Sequence, residues 1–369
     1  MISAPQPIVR QVTFTVETVT DFPSFLALEA EWSDLERRAR SEHPFVGHAW
    51  VRTWLETVGA GRGIRMRVIR HGGKCVGIVP LVTGRERLRG VPVGSLKLAG
   101  DEHTPRFDLL IDPAVRREAL TALVDHLQAD ESWDVVVLPE IPADSPTLAL
   151  LPAIAAAAGL GADTWKSGAS PVLPLSGSWE SCLETLSTRH RANMRSRWRH
   201  LERQGSLAVE TVAGGEGLAA AVSDGLRLEG VAWKREAGTA IECDPERVRF
   251  YARLAERAAE AGWLRLFFLV SNGKRIAFFF CLRFANRLYL LKQGYDADFA
   301  RDSPAILLCR ELIERSFRDR LDAVDFLGDA EPWKLEWTEV LRQHHWLFLF
   351  GRGHRARLAQ FLKFGLRSS

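Results

Sequence analysis

The sequence predicts an α/β fold in which one unit is used twice. Two observations carry this. The stretch Trp263–Trp337 reads as hairpin, strand, loop, helix, strand and a Trp-Lys loop. The same order recurs 200 residues earlier, with Gly73-Lys74 standing where Gly273-Lys274 stands later.

In the later copy, Arg265–Val270 and Arg275–Phe284 are apolar runs flanking Ser271-Asn272-Gly273-Lys274. Asn-Gly between such runs signals a hairpin, because both residues tolerate positive φ. A third strand, Arg287–Gln293, ends at Gly294-Tyr295-Asp296. Ser303-Pro304 then opens a helix that runs to about Arg318, with Ser as cap and Pro at the first helical position. Ala323–Leu327 reads as the next strand. A helix start facing strand ends is an anion site.

In the earlier copy, Met66–Arg70 and Cys75–Leu81 flank His71-Gly72-Gly73-Lys74. Ser95–Gly100 reads as a third strand, Pro113–Gln128 as a helix and Trp133–Leu138 as a strand. Helical segments precede each copy: Phe22–Arg38 and Trp50–Val58, then Trp179–Gln204 and Gly217–Glu236. Gly161–Leu175, rich in Gly, Ser and Pro, reads as the seam. The expected division is therefore 1–165 for a first, degenerate unit and 166–369 for the unit that holds the site. Trp346–Phe350 reads as a last strand. Ala356–Leu366 reads as a basic amphipathic helix with Leu358, Phe361, Leu362 and Leu366 on its apolar side. Packing against the body is the plainer expectation for that helix, and peripheral membrane contact the alternative.

Length and composition agree with two globular units. The chain has 369 residues, 46% hydrophobic and 26% charged. No apolar run approaches the ~18 residues of a membrane helix. Met1–Arg10 lacks an apolar signal core, and the five cysteines are scattered with no Cys-x-x-Cys. These features point to a cytoplasmic protein with reduced thiols and without a structural zinc or other metal site. The net charge of +3 is uneven. Thr185–Arg203 and Gly351–Ser369 each carry +5, which leaves −7 on the rest. Local anion binding fits this distribution better than a nucleic-acid coat.

Three segments hold candidate chemistry. In the first, Leu183, Leu186, His190, Met194, Trp198 and Leu201 form one helical stripe, while Arg191, Arg195, Arg199 and Arg203 recur every four residues on another face. Guanidinium forks suit phosphate, so Arg191 and Arg195 are candidate substrate contacts, with a solvated basic face as the plain reading. In the second, Glu229, Trp233 and Lys234 lie near a helix end before Gly238. Glu229 is a candidate proton acceptor; a surface pair with Lys234 and a core Trp is the plainer reading. In the third, Asp325-Phe326-Leu327-Gly328-Asp329 ends a strand, and Trp333-Lys334 follows before Trp337. Lys334 could stabilise charge on an acyl oxygen, against plain cation–π packing or a surface ion pair.

Taken in order, these residues resemble the GNAT acyltransferase superfamily, in the branch of cellulose-biosynthesis-type (CelD-like) acetyltransferases related to the Fem-type aminoacyltransferases. The matching stretches are Arg189–Arg195 leading to Gln204-Gly205, Glu229-x-x-x-Trp233-Lys234 leading to Gly238–Ile241, Asn272–Ala277, Gly294-Tyr295-Asp296, Ser303-Pro304-Ala305, and Asp325–Gly328 with Trp333-Lys334. They cover about 180–340, and the first half matches in outline. The resemblance implies tandem GNAT-like domains, each a mixed, mostly antiparallel sheet flanked by helices. It implies acyl transfer from acetyl-CoA or another acyl-CoA to an amine of a small molecule or saccharide precursor. It places the donor at Gly294, Tyr295, Ser303 and Ala305, and substrate at Arg191, Arg195, Trp233, Lys234, Asp296 and Trp333, with Lys334 and Glu229 catalytic. Two departures stand out. Ala305 replaces the glycine that often follows Ser-Pro, and the usual Gln/Arg-x-x-Gly-x-Gly/Ala loop is absent. The alternatives are a Fem-like ligase that uses aminoacyl-tRNA, with tRNA as partner, and a non-catalytic ligand-binding protein.

Overall fold

The computed structural model describes residues 13–130, 132–230 and 240–365. In the first half, β1 (Phe14–Val19) leads into α1 (Phe22–Ala27), α2 (Glu29–Ala39) and α3 (His48–Glu56). Strands β2 (Met66–His71), β3 (Lys74–Val79), β4 (Leu81–Leu88), β5 (Val91–Leu98) and the short β6 (Leu110–Ile111) follow. Helix α4 (Arg116–Ala129), strand β7 (Val135–Pro142), helix α5 (Pro146–Ala157) and strand β8 (Gly161–Pro174) complete it. The second half runs α6 (Trp179–Thr185), α7 (Thr188–Gln204), β9 (Leu207–Val212), α8 (Leu218–Glu229), α9 (Pro245–Glu260), β10 (Leu264–Ser271), β11 (Lys274–Phe284) and β12 (Arg287–Tyr295). It ends with α10 (Pro304–Arg318), β13 (Ala323–Asp325), the short α11 (Pro332–Leu335), β14 (Leu341–Phe350) and α12 (His354–Phe364).

The predicted repeat is present, and the sheet order shows how it is used. A ten-stranded sheet runs β4-β5-β7-β14-β8-β13-β12-β11-β10-β9. The order is nearly palindromic about β14 and β8, which pair antiparallel from Gly161↔Phe350 to Pro171↔Leu341. On one side β5 and β7 are parallel, and on the other β12 and β13 are parallel. The central strands are exchanged. β8 follows the first half in sequence but pairs with β13, while β14 ends the second half but pairs with β7. Each half is a mixed, mostly antiparallel sheet flanked by helices, in tandem.

The halves differ at one place. β10, β11 and β12 stay in one sheet, whereas β3 and β4 are separated by Pro80. Proline has no N–H for the ladder. β3 therefore remains with β1, β2 and β6 in a separate four-stranded sheet, and β4 joins the ten-stranded one.

Helices cover the sheet and fuse the halves. Phe45 and Trp50 of the first half share a core with Phe250, Tyr251, Phe280 and Tyr289 of the second. Phe45 meets Tyr289, and Trp50 meets Phe250, edge to face. Arg257 of α9 binds Glu56 at 2.6 Å and Thr53 at 2.8 Å, both on α3. At the centre, Arg106 of the first half donates to Asp325 of β13 at 2.8 Å and to Ser170 of β8 at 3.1 Å. Both members of that ion pair are fully buried.

Four expectations need correction. The Gly161–Leu175 seam is a strand, because extended backbone at the sheet centre satisfies its N–H and C=O groups on both sides; a division at 165/166 falls inside it. The single helix expected over Trp179–Gln204 is broken at Leu186-Ser187, where Ser187 accepts the His190 amide and caps α7. The strand expected at Ser95–Gly100 is half of a hairpin, β4–β5, turning at Arg89-Gly90 with φ of 50° and 89°. Helix α12 lies the other way round: Ala356 and Ala359 face the sheet, and Leu358 and Phe361 are exposed. Small residues allow α12 to lie close to Phe348 and Phe350, so the bulky ones turn outward. The part of Gly217–Glu236 beyond residue 230 lies outside the described residues.

Arg106→Met leaves Asp325 charged and buried without its partner. We expect a loss of about 3 kcal/mol or more in urea unfolding. Because the strands are exchanged, both halves should unfold in one transition; separate transitions would contradict the exchanged arrangement.

Candidate functional site

The parallel strands β12 and β13 pair only over Arg287–Tyr289 and Ala323–Asp325. Beyond that, β12 continues to Tyr295 while the chain after β13 turns away, so a wedge opens between them. A bulge at Leu291, opposite Phe280 and Cys281, adds local twist to β12. The first half repeats this: β5 and β7 pair over Ser95–Lys97 and Val135–Val137 and then part. A cleft of about 940 Å³ joins the two openings. Its walls include Leu290–Gln293 of β12, Phe326–Asp329, Glu229, Trp333 and Lys334. From the first half come Trp54, Lys97, Asp101–Pro105, Phe107 and Glu140, and from the central strands Trp165, His344 and Trp346.

Glu229 reaches the cleft because Gly294 lets α8 lie against β12. A Cβ on Gly294 would sit 2.3 Å from the Leu228 carbonyl oxygen and 2.4 Å from the Glu229 nitrogen. The Glu229 side chain is buried, and Oε2 accepts the Ile241 amide at 3.1 Å. The close approach at Gly294 is thus to a helix backbone.

Lys334 is held by the turn it helps to shape. Leu327 and Gly328 both have positive φ, 53° and 55°. Asp325 Oδ1 accepts the Leu327 amide at 3.1 Å. The Lys334 ammonium donates to the carbonyls of Leu327 and Asp329, both at 2.9 Å. A Cβ at Gly328 would lie 3.5 Å from that ammonium. Burial pulls Lys334 below its ordinary value, and the carboxylates of Glu331 and Asp329 oppose that pull. Trp333 packs edge to face on Phe326 and donates to Glu331 at 2.5 Å.

Of the residues singled out from sequence, Glu229, Trp333 and Lys334 meet in this cleft. Gly294, Tyr295, Asp296, Ser303, Ala305, Arg191 and Arg195 lie outside its lining. Trp233 and Lys234 lie outside the described residues. Asp296 is committed to Lys274 at 2.6 Å and to the Asp298 amide at 3.1 Å. Burial pushes its carboxyl up, but those two bonds outweigh it and hold it below the usual range. Ser303 stands before α10 in a left-handed conformation, φ 46°, and its side chain makes no capping bond. That corrects the expected cap: Pro304 at the first turn supplies the helix start, and Ser303 forms the corner. Ala305 packs into the core between α10 and the sheet. On α7 the stripe residues His190, Met194 and Leu201 are buried and Trp198 is half-buried, and His190 Nδ1 lies 3.0 Å from Glu336. Arg195 is exposed, and Arg191 is half-buried with an unpartnered Nε.

The first half's contribution to the cleft is absent from the residues singled out by sequence. The loop after β5 brings Asp101, Glu102 and His103 across the cleft to α9. Glu102 pairs with Arg247, and His103 Nδ1 lies 2.7 Å from the Tyr251 hydroxyl. A run Asp-Glu-His just past a strand end was a visible signal. A second polar chain lies below: Glu140 accepts from Trp346 at 2.7 Å and from Ser167 at 3.1 Å, and His344 stands 3.3 Å away. Among the described residues, no group of His, Cys, Asp and Glu could hold a metal ion, and no helix is long and apolar enough to cross a membrane.

Residues 188–335 match the acetyltransferase (GNAT) domain family. Within those residues the chain is similar to GNAT acetyltransferases. No curated protein matches it significantly. Three solved structures share the fold across both halves of this chain. One is titled crystal structure of FemX, with 13% identity and TM-score 0.59, covering 90% of this chain and 98% of that one. Another is the C-terminal domain of a putative lysylphosphatidylglycerol synthetase from Agrobacterium fabrum, with 12% identity and TM-score 0.55, covering 93% and 96%. The third is a conserved protein of unknown function from Bacteroides thetaiotaomicron, with 13% identity and TM-score 0.55, covering 90% and 100%.

Gly294→Ala places a methyl against the α8 backbone. We expect a loss of about 1–3 kcal/mol in chemical denaturation, from overpacking. An unchanged midpoint would show that the helix has room to move.

Proposed function

We propose that this acyltransferase moves an acyl group, in the simplest case acetyl, from acyl-CoA to an amine of a small molecule or saccharide precursor. The single observation that carries this reading is the wedge where β12 and β13 part, opening into a cleft walled by both halves. An extended thioester arm is shaped like a strand, and β12 beyond Tyr289 is a strand edge released from its parallel neighbour. Acyl-CoA, when bound, supplies an activated thioester carbonyl. The chain's own residues bind, orient and exclude water around it. Lys334 and Trp333 close one wall, and the buried ammonium contributes positive charge where an acyl oxygen would gain negative charge. Glu229 places a carboxylate on the opposite wall.

The phosphate end of the donor fits the basic helix better than the α10 start. Asp296, Asp298 and Asp302 crowd the turn before α10, and their charge opposes an anion there. α7 lies beside that turn, joined by His200 to Asp302 at 2.7 Å, and its exposed Arg195 and Arg199 face outward. We assign the phosphate contact to this arginine row.

A second reading follows from the same row: an aminoacyl-tRNA donor, as in the Fem-type enzymes. Several exposed arginines on one helix suit a polyanion, and binding would then weaken steeply with salt. The exposed Leu358 and Phe361, flanked by Arg355 and Arg357, also suit peripheral membrane contact.

Acyl-CoA should raise the melting temperature. Arg195→Ala, at an exposed position, should weaken acyl-CoA binding about tenfold, the loss of one charge-assisted contact of about 1.4 kcal/mol. Lys334→Met should lower kcat more than it raises KM. No thermal shift with acyl-CoA of any chain length would remove the reading. tRNA binding that falls by orders of magnitude between low and moderate salt would favour the second one.

A further inference from the structure

We propose that Asp101, on the loop after β5, takes the proton from the attacking amine. The inference rests on the acyl-transfer reading above and adds that the first half supplies a reacting group.

The loop from Gly100 to Phe107 leaves β5 where β5 and β7 part, and reaches the second half. Asp101 lines the cleft with 16% of its side chain exposed. Its Oδ1 accepts the His103 amide at 2.9 Å, which fixes the carboxylate's direction. Its Oδ2 is buried without a hydrogen bond, and Arg247 Nη1 stands 3.9 Å away. A carboxylate so poorly solvated is a stronger base than a surface one. Burial and the neighbouring Glu102 push its carboxyl up to about 6, while Arg247 and Lys292 pull the other way. The groups facing it are Glu102 and His103 on its own loop, Asp244, Arg247 and Tyr251 from the α9 side, Lys292 on β12 and Glu229 on α8. Burial keeps the Tyr251 phenol protonated, so it anchors His103 and carries no charge. Glu229, by contrast, already spends Oε2 on the Ile241 amide.

In the step, the amine nitrogen forms a bond to the thioester carbon and the carbon–sulfur bond breaks. The amine's proton passes to the Asp101 carboxylate, and sulfur leaves as thiolate. The protonated Asp101 returns its proton to the thiolate or to water, so no other reactant is needed. Glu229 holds the cleft wall in place.

The test uses the full chain, acetyl-CoA and a panel of primary amines with pKa above about 8, and kcat/KM is expressed per unprotonated amine, so that the amine's own titration across the window is removed. Thiol release is followed from pH 5 to 8. For the wild type, kcat/KM should rise about tenfold per pH unit up to the Asp101 pKa and then level. Asp101→Asn should lose this limb and about 100-fold in kcat at pH 7, with KM within about threefold. Asp101→Glu and Glu229→Gln should each keep a limb. Independently of turnover, carboxyl ¹³C spectra should show one aspartate titrating near 6, absent from Asp101→Asn. An Asp101 carboxyl titrating in the ordinary range near 4 overturns the proposal. So does an Asp101→Asn variant that keeps the limb, or a limb lost only in Glu229→Gln; acyl transfer then still stands. If no amine is acylated by any acyl-CoA, the acyl-transfer reading fails, and this inference with it.

Discussion

Each half of the chain ends in a strand that the other half uses. β8 leaves the first half and pairs with β13, while β14 leaves the second and pairs with β7, and the two pair with each other between. Neither half can complete its sheet alone, since its last edge would be left with unpaired backbone groups. The exchange fixes the two wedges on either side of a common pair of strands. The cleft is thus a consequence of strand pairing, and its two walls come from residues far apart in sequence.

Buried polar contacts tune that frame. Arg106 crosses from the first half to Asp325, Asp325 holds the Leu327 amide, and the Leu327 carbonyl holds Lys334. A residue in the first half therefore sets the turn on which the second half's lysine depends. A buried ion pair of this kind adds little net stability compared with apolar packing, yet losing one partner is severe. Its contribution is to define one geometry for the cleft wall. At the donor position that the resemblance implies beside Ser303, Asp296, Asp298 and Asp302 crowd the turn, and their charge opposes an anion.

Much of the fold was legible from residues alone. The Asn272-Gly273 and Gly72-Gly73 turns, the Pro304 helix start and the stripe on α7 are local signals, and local geometry decides them. Trp333-Lys334 and Glu229 were also visible as odd uses of charge beside aromatic surface. The reading failed where a distant partner decides. Gly161–Leu175 has the composition of a linker but becomes a central strand once two neighbours satisfy its backbone. Leu358 and Phe361 look like a core face but turn outward, because Ala356 and Ala359 allow the closer approach to the sheet.

The sequence by itself determined the repeated α/β unit, its turns and helix starts, the basic row on α7, and the likeness to GNAT enzymes. These depend on φ preferences, side-chain period and motif order, all readable within a few residues. Only the tertiary structure decided that the strands are exchanged, that Gly294 accommodates a helix backbone, and that Asp101 faces the same cleft as Glu229 and Lys334. Those facts depend on which strand edges meet and which charges lose water together, and no stretch of sequence records that.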